Sequence, residues 1–186
     1  MCLDNLCIAL KVRFDRLGQL NDLEQAISLG QRAVDLTPDS HPGMPAYLNN
    51  LSNALQTRFD HLGQLDDLEQ TIALKHLAIG LAPDGDLNKP LFLCNLGNAL
   101  QTRFSHFGQP DDLEHAILLK HHAVDLTPDG HPNEAMYLNN LGNGLDMRFD
   151  HLGQLNDLEQ AISLKQHAVD LTPDSHSLKP MYLMNL

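Results

Sequence analysis

A self-similarity of 45 residues constrains this 186-residue chain more than any other feature. The pair Arg-Phe stands at Arg13-Phe14, Arg58-Phe59, Arg103-Phe104 and Arg148-Phe149. Gly18, Gly63, Gly108 and Gly153 keep the same step, as do the Asp-Leu-Glu triplets from Asp22, Asp67, Asp112 and Asp157 and the prolines Pro38, Pro83, Pro128 and Pro173. No residue is inserted or deleted between copies, and residues 13–42 match 148–177 at 26 of 30 positions. A strict period of this size marks one supersecondary unit that covers its apolar face only by stacking on its neighbours. The units run 1–45, 46–90, 91–135 and 136–180, with a partial fifth at 181–186.

Each unit reads as two helices. Leu48, Leu51, Leu55, Phe59 and Leu62 fall at steps of three and four and make one apolar stripe. Pro45, Pro90 and Pro180 precede the corresponding stripes, where a first turn tolerates proline. Gly63-Gln64 breaks this first helix, at about 46–62, and Asp66 or Asp67 is expected to cap a second, at about 66–82, that stops at Ala82-Pro83. The expected fold is all-α, a solenoid of stacked antiparallel hairpins with a right-handed superhelical course.

Composition agrees. Hydrophobic residues make up 42% of the chain and aromatics only 5%, without Trp, so the core is built from Leu, Ile and Ala. A formal charge of -12 argues against nucleic acid and anionic membranes as partners and favours a neutral or basic one. No run is apolar enough to span a bilayer, and Met1-Cys2-Leu3-Asp4 does not open a signal peptide. The chain therefore reads as soluble and cytoplasmic, with Cys2, Cys7 and Cys94 as reduced, structurally incidental thiols.

These landmarks resemble the tetratricopeptide repeat (TPR) along essentially the whole chain. Leu48, Leu51, Ser52 and Leu55 occupy the family's first-helix positions, with Gly97 and Gly142 in the small slot of later copies. Thr71, Ala78 and Pro83, and Ala161, Ala168 and Pro173, match its second-helix pattern. The usual repeat has about 34 residues; the extra length here falls mainly in the first helix. Lys75, Lys120 and Lys165 stand where the family has an aromatic, as does Gly30. The loops Pro38-Asp39-Ser40-His41-Pro42 and Pro128-Asp129-Gly130-His131-Pro132, each followed by Tyr-Leu-Asn-Asn-Leu, are similar to kinesin light chain repeats. They are more similar still to fungal repeats coupled to a CHAT-type protease or a nucleotide-binding domain, neither of which is present.

Opposite the apolar stripe the first helices carry Asn50, Asn53, Thr57 and His61; Asn95, Asn98, Thr102 and His106; and Asn140, Asn143, Met147 and His151. The resemblance implies that this face lines a concave groove. Side-chain amides offer two donors and an acceptor, suited to the backbone of an extended peptide. Solvated surface or contact between hairpins is the competing reading of the same residues. The groove face is nearly free of cations, so the family's carboxylate clamp is not expected. His61, His106 and His151 are too far apart, on the order of 10 Å, to share a metal. Arg13, Arg58, Arg103 and Arg148 are expected to pair with acids of the adjacent second helix, and the loop histidines to form turns.

No catalytic constellation, phosphate loop or metal-ligand cluster is found, and no cofactor is expected. The sequence thus predicts a non-enzymatic scaffold that holds a neutral or basic, extended peptide or protein, as a piece of a larger sensor or adaptor. The alternative is a structural spacer or oligomerisation arm that self-associates end to end.

Overall fold

A computed structural model describes residues 2–186. Among them the helices are α1 (Cys2–Leu17), α2 (Leu20–Asp35), α3 (Met44–Leu62), α4 (Leu65–Leu81), α5 (Lys89–Phe107), α6 (Pro110–Asp125), α7 (Glu134–Leu152), α8 (Leu155–Leu171) and α9 (Lys179–Met184), and no strand occurs. The chain forms two compact units, Met1–Leu87 and Asn88–Leu186. In the first, the hairpins α1/α2 and α3/α4 pack through α2 and α3; in the second, α5/α6 and α7/α8 pack through α6 and α7, and α9 lies on α8.

Each first helix stops at a glycine. Gly63 adopts φ +67° and closes the helix with its N–H on the Phe59 carbonyl at 2.7 Å, a left-handed cap that costs a Cβ-bearing residue energy. Gly18, Gly108 and Gly153 repeat the geometry. The second helix starts one residue earlier than expected, with Gln64 at the N-cap and no side-chain cap bond. Asp66 and Asp67 are therefore first-turn residues rather than caps, placed where the helix dipole favours carboxylates. Asp67 is engaged elsewhere, by Arg58.

In unit 1, Phe14 and Leu23 of the first hairpin pack against Ala54 of α3, while Met44 and Leu48 pack on Ala78 of α4. In unit 2, Phe104, Leu113, Ile117, Leu141, Leu145 and Ala161 join four helices into one core. Leu62 departs from the expected stripe. It is 46% exposed, in the last turn of α3 at the hairpin tip.

The unusual lysine slot has a steric explanation. A Cβ on Gly97 would come within 3.0 Å of Lys120 Cγ, and one on Gly142 within 2.8 Å of Lys165 Cγ. The small first-helix residue is thus the floor over which the aliphatic lysine stem lies, as a long charged side chain can cover apolar surface. The first hairpin inverts the sizes: Cys7 fills the small slot, and Gly30 leaves room for its sulfur and for Leu51, both 3.2 Å from where a Cβ would stand.

Two predictions arise from this packing. Gly80, near the end of α4, has open space around its Cβ position. Gly80→Ala is expected to stabilise by about 0.5 kcal/mol through helix propensity, read as a higher urea midpoint at unchanged slope. Burial, and after it the Asp4 charge, push the Cys7 thiol up to about 11, whereas Cys2 is exposed. At neutral pH an alkylating reagent should label Cys2 in the folded chain, and Cys7 and the buried Cys94 only under denaturant, with mass spectrometry as the readout.

Candidate functional site

The residues expected to form one polar ladder perform different tasks. Asn50 Nδ2 donates to both carboxylate oxygens of buried Asp4, at 3.0 and 3.2 Å. Asn140 Nδ2 reaches Cys94 Sγ at 3.2 Å, and Asn185 repeats the contact on Asn139 Oδ1, also at 3.2 Å. Each bond joins the first helix of one hairpin to the first helix of its neighbour. Asn50 and Asn140 therefore tie hairpins together, and Asn95 is engaged as well. Sequence spacing gives the face of a helix but not what lies 46 residues away.

Further along the face, Asn53 Oδ1 accepts a bond from Lys75 Nζ at 2.7 Å. Lys120 similarly reaches Gln101, and Lys165 reaches Asp146. The expected scarcity of cations is thus corrected: ammonium groups arrive from the second helices and end beneath the first-helix face. Thr57 and Thr102 turn their hydroxyls back onto the carbonyls of Asn53 and Asn98, at 2.9 and 3.1 Å. His61 packs edge-on against Phe14 of the preceding hairpin, with ring centroids 4.8 Å apart, and His151 against Phe104 at 5.4 Å. His106 lies tilted beside Phe107. No group of three or more metal-ligating side chains occurs among the described residues.

In unit 1 the buried Gln56 Oε1 has no partner among the described residues, and unit 2 leaves an open polar site. A cavity of about 280 Å³ opens between α5 and α7, lined by Asn98, Gln101, Thr102, Ser105 and Met147. Gln101 spans it, accepting from Lys120 and donating to the Asn143 carbonyl at 3.4 Å. Among the described residues nothing bonds the side-chain amides of Asn98 and Asn143. Gln101 and Ser105 were missing from the sequence-derived face, because their column turns toward α7 only once the two hairpins are packed. The signal that could have found them is Met147, which stands where the other copies have Thr57 and Thr102.

The charges around this face are mostly internal. Arg13, Arg58, Arg103 and Arg148 each grip an acid nine residues on through paired Nε and Nη2 bonds of 2.6–2.8 Å, to Asp22, Asp67, Asp112 and Asp157. The hydrogen bonds from Arg13 hold the Asp22 carboxyl below its ordinary range. Arg148 also bonds Glu114 of the preceding hairpin at 2.7 Å, and Asp157 first and then Glu114 keep its guanidinium protonated well above the usual range. Lys120 is almost fully buried on a neutral acceptor, and loss of solvation pushes it down to about 8. With so many cations consumed inside, the solvent-facing charge is predominantly acidic.

Stacked hairpins joined face to face define a TPR-like helical-repeat protein, a fold that typically serves protein interaction. Among solved structures, the chain is similar to the crystal structure of nearly identical TPR-like repeats from Podosopora anserina, in a protein named there as a kinesin light chain candidate. The TM-score is 0.70 at 14% identity, over 99% of this chain and 83% of that one. It is also similar to the DHF58 filament, with a TM-score of 0.52 at 14% identity over 99% of this chain and 94% of that chain. No protein-family model matches the chain, and no curated protein matches it. At such identities the likeness bears on fold alone, and these comparisons give no support for the fungal variant with CHAT-type or nucleotide-binding domains. No helix among the described residues is long and apolar enough to cross a membrane.

Proposed function

We propose that the first-helix face acts as a non-enzymatic platform for an extended, neutral or basic peptide segment of a partner protein, with one site between α5 and α7. The observation that carries this reading is the cavity beside Met147, flanked by the unbonded amides of Asn98 and Asn143. Paired amide donors and acceptors match the hydrogen-bonding needs of a peptide backbone, and the cavity suits one medium-sized apolar side chain. The acidic exterior disfavours acidic peptides.

A display selection of random peptides against the chain tests it. We expect enrichment of sequences with an apolar anchor and no net negative charge, whose binding weakens roughly tenfold on Asn98→Ala combined with Asn143→Ala, the effect of about two lost hydrogen bonds. Asn50→Ala should lower stability and leave capture intact. Selected peptides that ignore the Asn98 and Asn143 changes would remove this face from consideration.

A further inference from the structure

The loops after α6 and α8 enclose a second cavity of unit 2, about 380 Å³, whose walls include His131, Glu134, Met136, Leu171, His176 and Tyr182. Its donor set is fixed by the backbone. His131 Nδ1 accepts the Asn133 N–H at 3.1 Å, and His176 Nδ1 accepts the Leu178 N–H at 3.2 Å. A neutral imidazole whose Nδ1 is an acceptor carries its proton on Nε2, so both rings present an N–H donor there and no lone pair for a metal.

Tyr182 supplies a third donor. It is 2% exposed, burial pushes its hydroxyl up, and no described residue bonds that hydroxyl. One repeat earlier the Asn133 side chain offsets part of the upward push that burial gives the Tyr137 hydroxyl. The position equivalent to Asn133 ahead of Tyr182 is Leu178, which has nothing to offer. With no protein partner, the Tyr182 hydroxyl is free to donate to an occupant of the cavity. The charged groups nearby are already directed elsewhere: Glu134 Oε2 accepts the Gly130 N–H at 2.7 Å, and Lys179 Nζ donates to the Val169 and Thr172 carbonyls at 2.6 and 2.7 Å.

We propose that this cavity binds a small, uncharged, largely apolar molecule bearing one carbonyl acceptor, which Tyr182 and the His131 and His176 N–H groups hold while Met136, Leu171 and Leu178 enclose its body. The Glu134 carboxylate in the wall and the net charge of -12 select against a carboxylate ligand. The site is separate from the first-helix face and stands or falls independently of it.

Titration of the intact chain with acetophenone, followed by backbone-amide NMR, tests the proposal, with benzoate as the anionic arm. Saturable shifts confined to residues 130–136 and 171–182 are expected with acetophenone, and weaker binding with benzoate. Tyr182→Phe should weaken acetophenone binding about fivefold, as expected for one neutral hydrogen bond. His176→Asn, which keeps an acceptor for the Leu178 N–H and removes the Nε2 donor, should act similarly. Absence of saturable shifts, or equal binding by both variants and the parent chain, would overturn the site; benzoate binding as well as acetophenone would overturn the assigned ligand class.

Discussion

Arg148→Met is expected to destabilise the chain by roughly 2–3 kcal/mol, the low end of what breaking a buried ion pair costs, because the Arg148 side chain is still 22% exposed. The loss comes less from the missing attraction than from what remains. Asp157 is almost fully buried in the first turn of α8, and without the guanidinium it keeps a charge in surroundings that cannot solvate it. Glu114, being largely exposed, regains water and contributes little. The double replacement Arg148→Met with Asp157→Leu should recover most of the stability, since it removes both charges. Arg13→Met should cost less, because Arg13 is 55% exposed. Urea unfolding of the four chains checks the order; a double variant as unstable as Arg148→Met would show that the pair acts through packing instead.

Lys120 gives the second large effect. Its folded-state proton is lost near pH 8, whereas the unfolded chain holds it to about 10.5, so the unfolded state binds more protons between those values and stability rises with pH across that window. The full cost of burying the ammonium, about 3 kcal/mol at most, is present below pH 8. The Cys7 thiol, ordinarily near 9.0 and pushed up to about 11, opposes the rise from about pH 9, and Tyr137 and Tyr182, whose hydroxyls burial pushes up, oppose it above their ordinary range. Lys120→Met keeps the stem over Gly97 and should stabilise the chain at pH 7 by about 2 kcal/mol while flattening the profile. Gln101→Glu should also flatten it by supplying the carboxylate that Asp146 supplies to Lys165 in the next hairpin. Denaturation midpoints from pH 7 to 10 test this, and a Lys120→Met profile as steep as the parent's would assign the rise to another group.

Helix placement was legible because the period of 45, the stripe through Leu48, Leu51, Leu55 and Phe59, and the glycine after Leu62 are local signals. The Arg–Asp pairing was legible too, since nine residues across a two-residue turn return the chain to its starting level. Leu62 was misread because a helical stripe records which face a residue occupies and not how much of that face is covered at the hairpin tip. The separate roles within the Asn face were not legible for a related reason. Asn50 and Asn53 look alike on a helical projection, yet one bonds Asp4 of the neighbouring hairpin and the other the lysine of its own.

By itself, then, the sequence determined an all-helical chain of repeated hairpins, the positions of its breaks and the acidity of its exterior, all properties of short windows or of composition. The tertiary structure alone decided which polar groups are consumed inside and which are left for a partner. Asn140 is taken up by Cys94, Lys120 ends beneath Gln101, and the side chains of Asn98, Asn143 and Tyr182 are left without a bond to another described residue. Satisfaction of a polar group is a pairwise, short-range matter, and the partners lie 19 to 46 residues apart, a distance that periodicity spans in register but not in contact.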